Sequence, residues 1–269
     1  MPGVLLVGCG KMGGALLEGW RKNKAAERFV VIEPMEAAVA HLVGAEGVTV
    51  VGDVSAVPAD FKPDAIVMAV KPQSMGAAAP PFAALAASAV TLSIAAGTPI
   101  SFFEAAFGKD AAIVRAMPNT PAAIGMGMSV LCANAATTDA QRTLSDTLMQ
   151  AAGVVDWIED EDLMDAVTAL SGSGPAYVFH LIEAMAAAGE ALGLSPELAT
   201  KSALQTVAGA GELARTAAED PGTLRQNVTS PAGTTAAALD VLMANPGQTE
   251  LMTRAMTAAR DRGRELAKG

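Results

Sequence analysis

The stretch from Val4 to Trp20, VLLVGCGKMGGALLEGW, restricts the fold more than any other part of the chain. Val4 to Val7 is an apolar run of strand length, Gly8, Gly10 and Gly13 supply G-x-G-x-x-G, and Ala15 to Trp20 continue at helical spacing. Strand, glycine turn and helix in this order are what a dinucleotide site requires. Gly8 allows the tight turn, Gly10 lets the main chain approach a pyrophosphate, and Gly13 lets the helix lie close to the strand. Free N–H groups at the helix start then face the phosphates.

With 269 residues the chain is long enough for a substantial core and divides most naturally into two domains. The longest weakly polar run, Phe82 to Gly97, is shorter than a bilayer span, rich in small residues and preceded by Pro80-Pro81, so no membrane segment is expected. A net charge of −10 argues against nucleic acid, whose phosphates need a basic face. The same charge obliges any anionic ligand to rely on helix N-termini and a few local cations. Cys9 and Cys132 are too few for a disulfide framework. A reducing cytoplasm is the simplest compartment.

After the first helix, Phe29 to Ile32 reads as a second strand ending at Glu33. An acid there accepts hydrogen bonds from the adenosine ribose hydroxyls and repels a 2′-phosphate, which leans toward NADH over NADPH; a solvated strand-end carboxylate is the alternative. Further strands are expected at Val48 to Val51, Asp64 to Val70, Ala89 to Ala95, Ala111 to Ala116, Ser129 to Cys132 and Gly153 to Trp157, with helices at Gln73 to Ala87, Pro99 to Phe107 and Asp139 to Ala151. Lys71 stands where a parallel strand meets its loop, the edge at which such sheets bind ligands, either as a cofactor donor or as a solvated lysine. Met117-Pro118-Asn119-Thr120-Pro121 brings two small hydrogen-bonding side chains to that edge on a backbone fixed by two prolines. A rigid turn without a ligand would look similar.

From Glu159 onward the pattern changes to helices: Asp165 to Ala169, Pro175 to Leu192, Pro196 to Ala218, Thr234 to Leu242 and Thr249 to Ala267. The fold class expected is therefore α/β, an N-terminal Rossmann-type doubly wound sheet over 1–158 followed by an all-α C-terminal dimerisation domain over 159–269. The Ala-rich helices are poorly suited to a self-sufficient core, so a homodimer is the expected state.

His41 and His180 read as structural histidines, and neither metal-ligand spacing nor a nucleophile with its base is present. The distinctive stretch is Asn227 to Ala238, NVTSPAGTTAAA. Ser230-Pro231 and Gly233-Thr234-Thr235 build a turn into a helix whose free N–H groups, with the hydroxyls, make a carboxylate seat that needs no lysine. An ordinary helix cap reads the same way.

VGCGKMGGA, AVKPQ, RAMPNTPA, ALSGSGPAY and NVTSPAGTTAAALDVL, in this order and at these intervals, closely resemble the pyrroline-5-carboxylate reductase family, enzymes that complete proline synthesis. The resemblance runs over nearly the whole chain; the first motif is shared with many reductases, whereas SGSGPAY and VTSPAGTT are specific. It implies a helical domain interlocked with a partner's, and a site between one subunit's sheet edge and the other's helices. Family members often assemble further into rings of dimers. By the family pattern Ser230, Gly233, Thr234 and Thr235 hold the substrate carboxylate, with Asn227 at the head of the same stretch, and Thr235 reaches the ring nitrogen as the catalytic candidate. Gly8, Gly10, Lys11, Met12, Gly13, Glu33, Val70, Lys71, Pro72, Asn119 and Thr120 fall beside the cofactor, NADPH or NADH. Ala232 stands where family members commonly carry glycine, a change that is tolerable unless the position needs positive φ.

The implied chemistry suits a chain without an evident general acid, because a protonated cyclic imine is already an electrophile. A β-hydroxyacid dehydrogenase begins with a similar glycine turn, but it uses a lysine after the domain boundary, and no lysine or arginine occurs between Glu159 and Thr200. A nucleotide-binding sensor without chemistry leaves the carboxylate seat unexplained, and a structural oligomer with a degenerate cofactor loop predicts no NADH binding.

Overall fold

The structure is a computed structural model that describes residues 2–266. Its first part is one eight-stranded sheet: β1 (Gly3–Val7), β2 (Arg28–Ile32), β3 (Val48–Val51), β4 (Ala65–Met68), β5 (Val90–Ser93), β6 (Ile113–Met117), β7 (Gly127–Ala133) and β8 (Gly153–Trp157), in the order β3-β2-β1-β4-β5-β6-β7-β8. β1 to β6 run parallel, and the strand order reverses between β1 and β4, where a doubly wound sheet opens a crevice at its carboxyl edge. β7 returns antiparallel beside β6 because only a short loop joins them, while a crossover helix makes β8 parallel to β7.

The helices of this part are α1 (Lys11–Asn23), α2 (Glu36–Val39), α3 (Pro72–Ala78), α4 (Ala83–Ala86), α5 (Ile100–Phe107), α6 (Asp139–Gln150) and α7 (Met164–Val167). The single helix expected over Gln73 to Ala87 is broken, since Pro80-Pro81 interrupt the hydrogen-bond ladder and a 3-10 turn separates α3 from α4. Every residue from Val4 to Val7 is buried: Val4 and Leu6 pack with Leu16, Leu17 and Trp20 on one face, Leu5 and Val7 with Ile66, Met68 and Phe103 on the other. Burial on both faces is why the strand reads as an unbroken apolar run. Trp20 is the anchor of the first face. Its ring stacks on Phe29 with centroids 6.1 Å apart, and its Nε1–H donates to Leu148 O at 2.7 Å, tying α1 to α6. Each such large side chain contributes about 1.5–3 kcal/mol by leaving water.

After Trp157 the described residues contain no further strand. The helices are α8 (Gly174–Ala191), α9 (Pro196–Thr216), α10 (Pro221–Asn227), α11 (Thr234–Leu242) and α12 (Gln248–Leu266). Ala267, expected to end the last helix, and the final residues of the 159–269 domain lie outside the described residues. α10 was not expected; Asp220 accepts from the N–H groups of Gly222 and Thr223 and turns what reads as an EDPG break into a capped helix start. The chain clusters into two compact units, one running through Gly172 and regaining the end of α12 from Arg260, the other being Ser173–Ala259. Within the second unit α8 and α9 pack together, Gly189 lying against Ala199. Its buried apolar residues among those described are Ala186, Ala199 and Ala203, whereas Phe179, Leu198 and Val241 are exposed.

Candidate active site

The first candidate site is the turn between β1 and α1. Gly8 has φ +92°, a conformation that side chains resist, and an added Cβ would meet Ala69 O at 2.9 Å. Gly13 is buried, and a Cβ there would run into Gly8 O, so α1 seats directly on the turn. Gly10 differs from both. It is exposed, and a Cβ would meet nothing within 4 Å. The protein's own packing does not demand glycine at that position, whereas close approach of a ligand phosphate does.

Gly10 is also the N-cap of α1 and provides no side-chain cap, and the first amide to close the ladder is Gly14 N–H, which donates to Gly10 O at 2.8 Å. The N–H groups of Lys11, Met12 and Gly13 are therefore the open end of a 13-residue helix, a seat for an anion in a chain of net charge −10. These residues fit a dinucleotide pyrophosphate.

Glu33 follows β2 as expected, and its carboxylate is fixed. Oε2 accepts Cys9 N–H at 2.9 Å and Oε1 accepts Met35 N–H at 3.0 Å. Each oxygen keeps a lone pair for a ribose hydroxyl. Cys9 itself is buried, and burial, followed by the charges of Glu33 and Glu18, pushes its thiol above the ordinary range. Further along the same sheet edge, Val70 is half-buried, Lys71 is exposed as the residue before α3, and Pro72 opens that helix. Thr120 is exposed in the 3-10 turn after β6. The amide of Asn119 bonds to protein at each end: Oδ1 accepts Met128 N–H at 2.9 Å, and Nδ2 donates to Ser171 O at 3.1 Å.

The sequence reading passed over the ion pair beneath this edge. Arg115, buried on β6, places Nη1 2.8 Å from Glu161 Oε1, which also accepts Ile100 N–H at 2.9 Å. An arginine inside the apolar run AAIVRAM was the available signal, because a charge in a strand interior has to find a partner.

A second candidate site lies in the other unit. α11 begins at Thr234 with Gly233 as its N-cap, and no side chain caps it. Gly233 N–H donates to Ser230 O at 3.1 Å, and a Cβ at Gly233 would strike Ser230 Oγ, so the turn is tightly wound. Ladder bonding resumes with Ala237 N–H on Gly233 O at 3.2 Å, which leaves the amides of Thr234, Thr235 and Ala236 at the open end of the helix. No side chain of the turn caps the helix, so its first amides are open. Ala232 has φ +56°, the left-handed conformation its glycine alternative would accept freely. Asn227 closes α10 and is exposed, rather than standing in the turn itself. His180 is exposed, 3.2 Å from Glu183, and His41 is exposed on a 3-10 turn. No cluster of three metal-ligating side chains occurs among the described residues.

Comparison with known proteins places both parts of the chain in one family. Residues 161–266 match the family described as pyrroline-5-carboxylate reductase dimerisation, and residues 3–97 match the family described as NADP oxidoreductase, coenzyme F420-dependent. The chain is 41% identical over 269 residues to the pyrroline-5-carboxylate reductase of Pseudomonas aeruginosa, covering 99% of this chain and 97% of that protein. A solved pyrroline-5-carboxylate reductase from Coxiella burnetii superposes with a TM-score of 0.91 at 33% identity over 98% of both chains. The Plasmodium falciparum pyrroline carboxylate reductase, solved with NADP bound, superposes with a TM-score of 0.80 at 28% identity, over 99% of this chain and 98% of that one. The chain belongs to the pyrroline-5-carboxylate reductase family.

Proposed function

We propose that this protein reduces 1-pyrroline-5-carboxylate to L-proline with NAD(P)H, the last step of proline synthesis. The observation that carries the reading is the uncapped start of α11. Its free amides, with the hydroxyls of Ser230, Thr234 and Thr235, seat the substrate carboxylate by hydrogen bonds and helix polarity, without a cation. Family membership supplies the rest of the reading.

Bound nicotinamide supplies a hydride. The chain's own residues do the positioning. The open amides of Lys11, Met12 and Gly13 take the pyrophosphate, and Glu33 orients the ribose. Lys71, between Val70 and Pro72, and Thr120 border the nicotinamide end. Thr235 donates a hydrogen bond to the ring nitrogen as it becomes an amine. The imine needs no strong protein acid, because protonation on nitrogen already makes its ring carbon electrophilic. The β-hydroxyacid dehydrogenase alternative lacks its proton acceptor, there being no lysine or arginine from Glu159 to Thr200.

The match of residues 161–266 to a dimerisation family, together with the exposed apolar side chains of α8, α9 and α11, supports a homo-oligomer built on a dimer; a ring of such dimers is a further implication of the family resemblance. No helix among the described residues is long and apolar enough to cross a membrane, and the two free thiols favour the cytoplasm. The deciding experiment follows loss of reduced-cofactor absorbance with pyrroline-5-carboxylate, using each nicotinamide in turn. Substrate-dependent oxidation yielding proline is the expected result. Cofactor binding with no turnover would return the protein to the sensor class.

A further inference from the structure

Asn119 lies at the carboxyl edge of β6, where a cofactor contact is the obvious reading of an exposed-looking amide, yet both ends of that amide already serve the protein. Oδ1 takes the N–H of Met128 at the start of β7 at 2.9 Å, and Nδ2 donates to the carbonyl of Ser171 at 3.1 Å. Ser171 belongs to a π-helical turn, Thr168–Gly172, and opens the family-specific SGSGPAY stretch. Such turns leave carbonyls that the regular ladder does not serve.

The reason lies four residues downstream. In a continuous α-helix the Ser171 carbonyl would accept from residue 175, but residue 175 is proline and has no N–H. The next amide, of Ala176, is committed to Ser173 O at 3.0 Å. Asn119 supplies the missing donor. A second contact joins the same two segments: a Cβ on Gly172 would run into the Met117 side chain, so the π-turn lies directly against the residue that precedes Pro118. The MPNTP loop and the 168–172 turn, both in the first unit, are thereby one braced piece.

We infer that Asn119 is a positioning residue, which holds the MPNTP loop to the 168–172 turn through the Ser171 carbonyl and thereby sets the geometry for hydride transfer without binding the cofactor itself. This rests on the reductase reading above. Asparagine is required because the brace needs an acceptor and a donor on one short side chain; aspartate keeps the first and loses the second.

The test compares Asn119→Asp with the parent in the full-length protein, by steady-state kinetics, NADH binding followed by fluorescence, thermal unfolding and hydrogen exchange. The expected result is kcat lowered about 10- to 100-fold, the scale of a small misplacement of a reactive group. NADH affinity stays within about twofold, so the loss appears in kcat rather than in binding. Amides of residues 168–172 exchange faster. Pro175→Ala, which gives Ser171 O a competing helical donor, produces the same split and serves if Asn119→Asp does not fold. An NADH affinity that falls with kcat would make Asn119 a cofactor ligand and overturn the inference. A lowered unfolding temperature with parental kcat would reduce it to a structural brace, and unchanged exchange at 168–172 would remove the brace altogether. A parent protein inactive on pyrroline-5-carboxylate would instead sink the functional reading, while the exchange measurement still decides the brace.

Discussion

Glu33 Oε2 accepts the main-chain N–H of Cys9 at 2.9 Å, so the acid at the end of β2 is bonded to the glycine turn proposed to receive the pyrophosphate. With Met35 N–H on its other oxygen, the carboxylate has little freedom to swing aside for a 2′-phosphate. From this placement we predict a preference for NADH. Wild-type kcat/KM is expected to be at least about tenfold higher with NADH than with NADPH, a difference of ~1.4 kcal/mol. Glu33→Ser removes the repulsion and narrows that ratio mainly through KM for NADPH. Parallel titration of both cofactors against both proteins checks it, and a parent that prefers NADPH would refute the role given to Glu33.

Thr235 stands in the first turn of α11, half-buried, among the open amides assigned to the carboxylate. Thr235→Ala leaves those amides in place and deletes one hydroxyl. Turnover is expected to drop about 10- to 100-fold, or ~1.4–2.7 kcal/mol, if that hydroxyl bonds the ring nitrogen more strongly as the amine forms. Cofactor affinity should not change. Kinetics identical to the parent would take Thr235 out of the reaction.

Ala232 is the place where one residue of sequence decided a backbone question. Its φ of +56° costs an alanine about 1–2 kcal/mol, partly offset because glycine loses more freedom on folding. Ala232→Gly should therefore raise stability by roughly 0.5–1 kcal/mol, and Ala232→Val should lower it. Denaturant unfolding of the three proteins tests the order. A glycine variant less stable than the parent would mean that the turn is not strained.

How far the sequence disclosed this molecule varies with range. β1 to α1 was legible because each property sat in consecutive residues: an apolar run, three glycines, a helical repeat. Thr234 to Leu242 was read to the residue because a turn and a helix start adjoin there. The Asn119 brace was not legible, since its partners at 128 and 171 are brought together only by the return of β7 and the π-turn. α10 was hidden for a different reason. Asp220, Pro221 and Gly222 are turn formers in isolation, and only the capping bonds of Asp220 make them a helix start.

Burial raises both thiols above their ordinary range, Cys9 with the added charges of Glu33 and Glu18, Cys132 with that of Glu161. A raised pKa means that the folded state holds its proton more tightly than the unfolded chain does. The associated stability is complete below the ordinary thiol pKa of about 8.5 and is lost as pH rises through the folded values. Neither cysteine should react with a thiol-specific reagent in the native protein near neutral pH, although both should react after denaturation. Rapid native labelling of Cys9 would contradict its burial under the nucleotide turn.

Arg115 and Glu161 pose the last energetic question, because a charge pair under the sheet edge is expensive to desolvate. The arginine is buried, while its partner is partly open to solvent and also receives Ile100 N–H at the start of α5. Glu161→Gln leaves the buried arginine without its counter-charge and should cost about 3 kcal/mol, whereas Arg115→Met should cost less, because Glu161 keeps Ile100 N–H and some solvent. Replacing both, with Met at 115 and Gln at 161, removes the two charges together and should cost less than the sum of the single changes by more than about 1 kcal/mol. The comparison is a double-mutant cycle read by chemical denaturation, with kcat followed alongside, since Met117 lies two residues beyond Arg115 and carries the loop that Asn119 braces. Additive single and double changes would show that the pair is not coupled, and that β6 is held by its apolar neighbours alone.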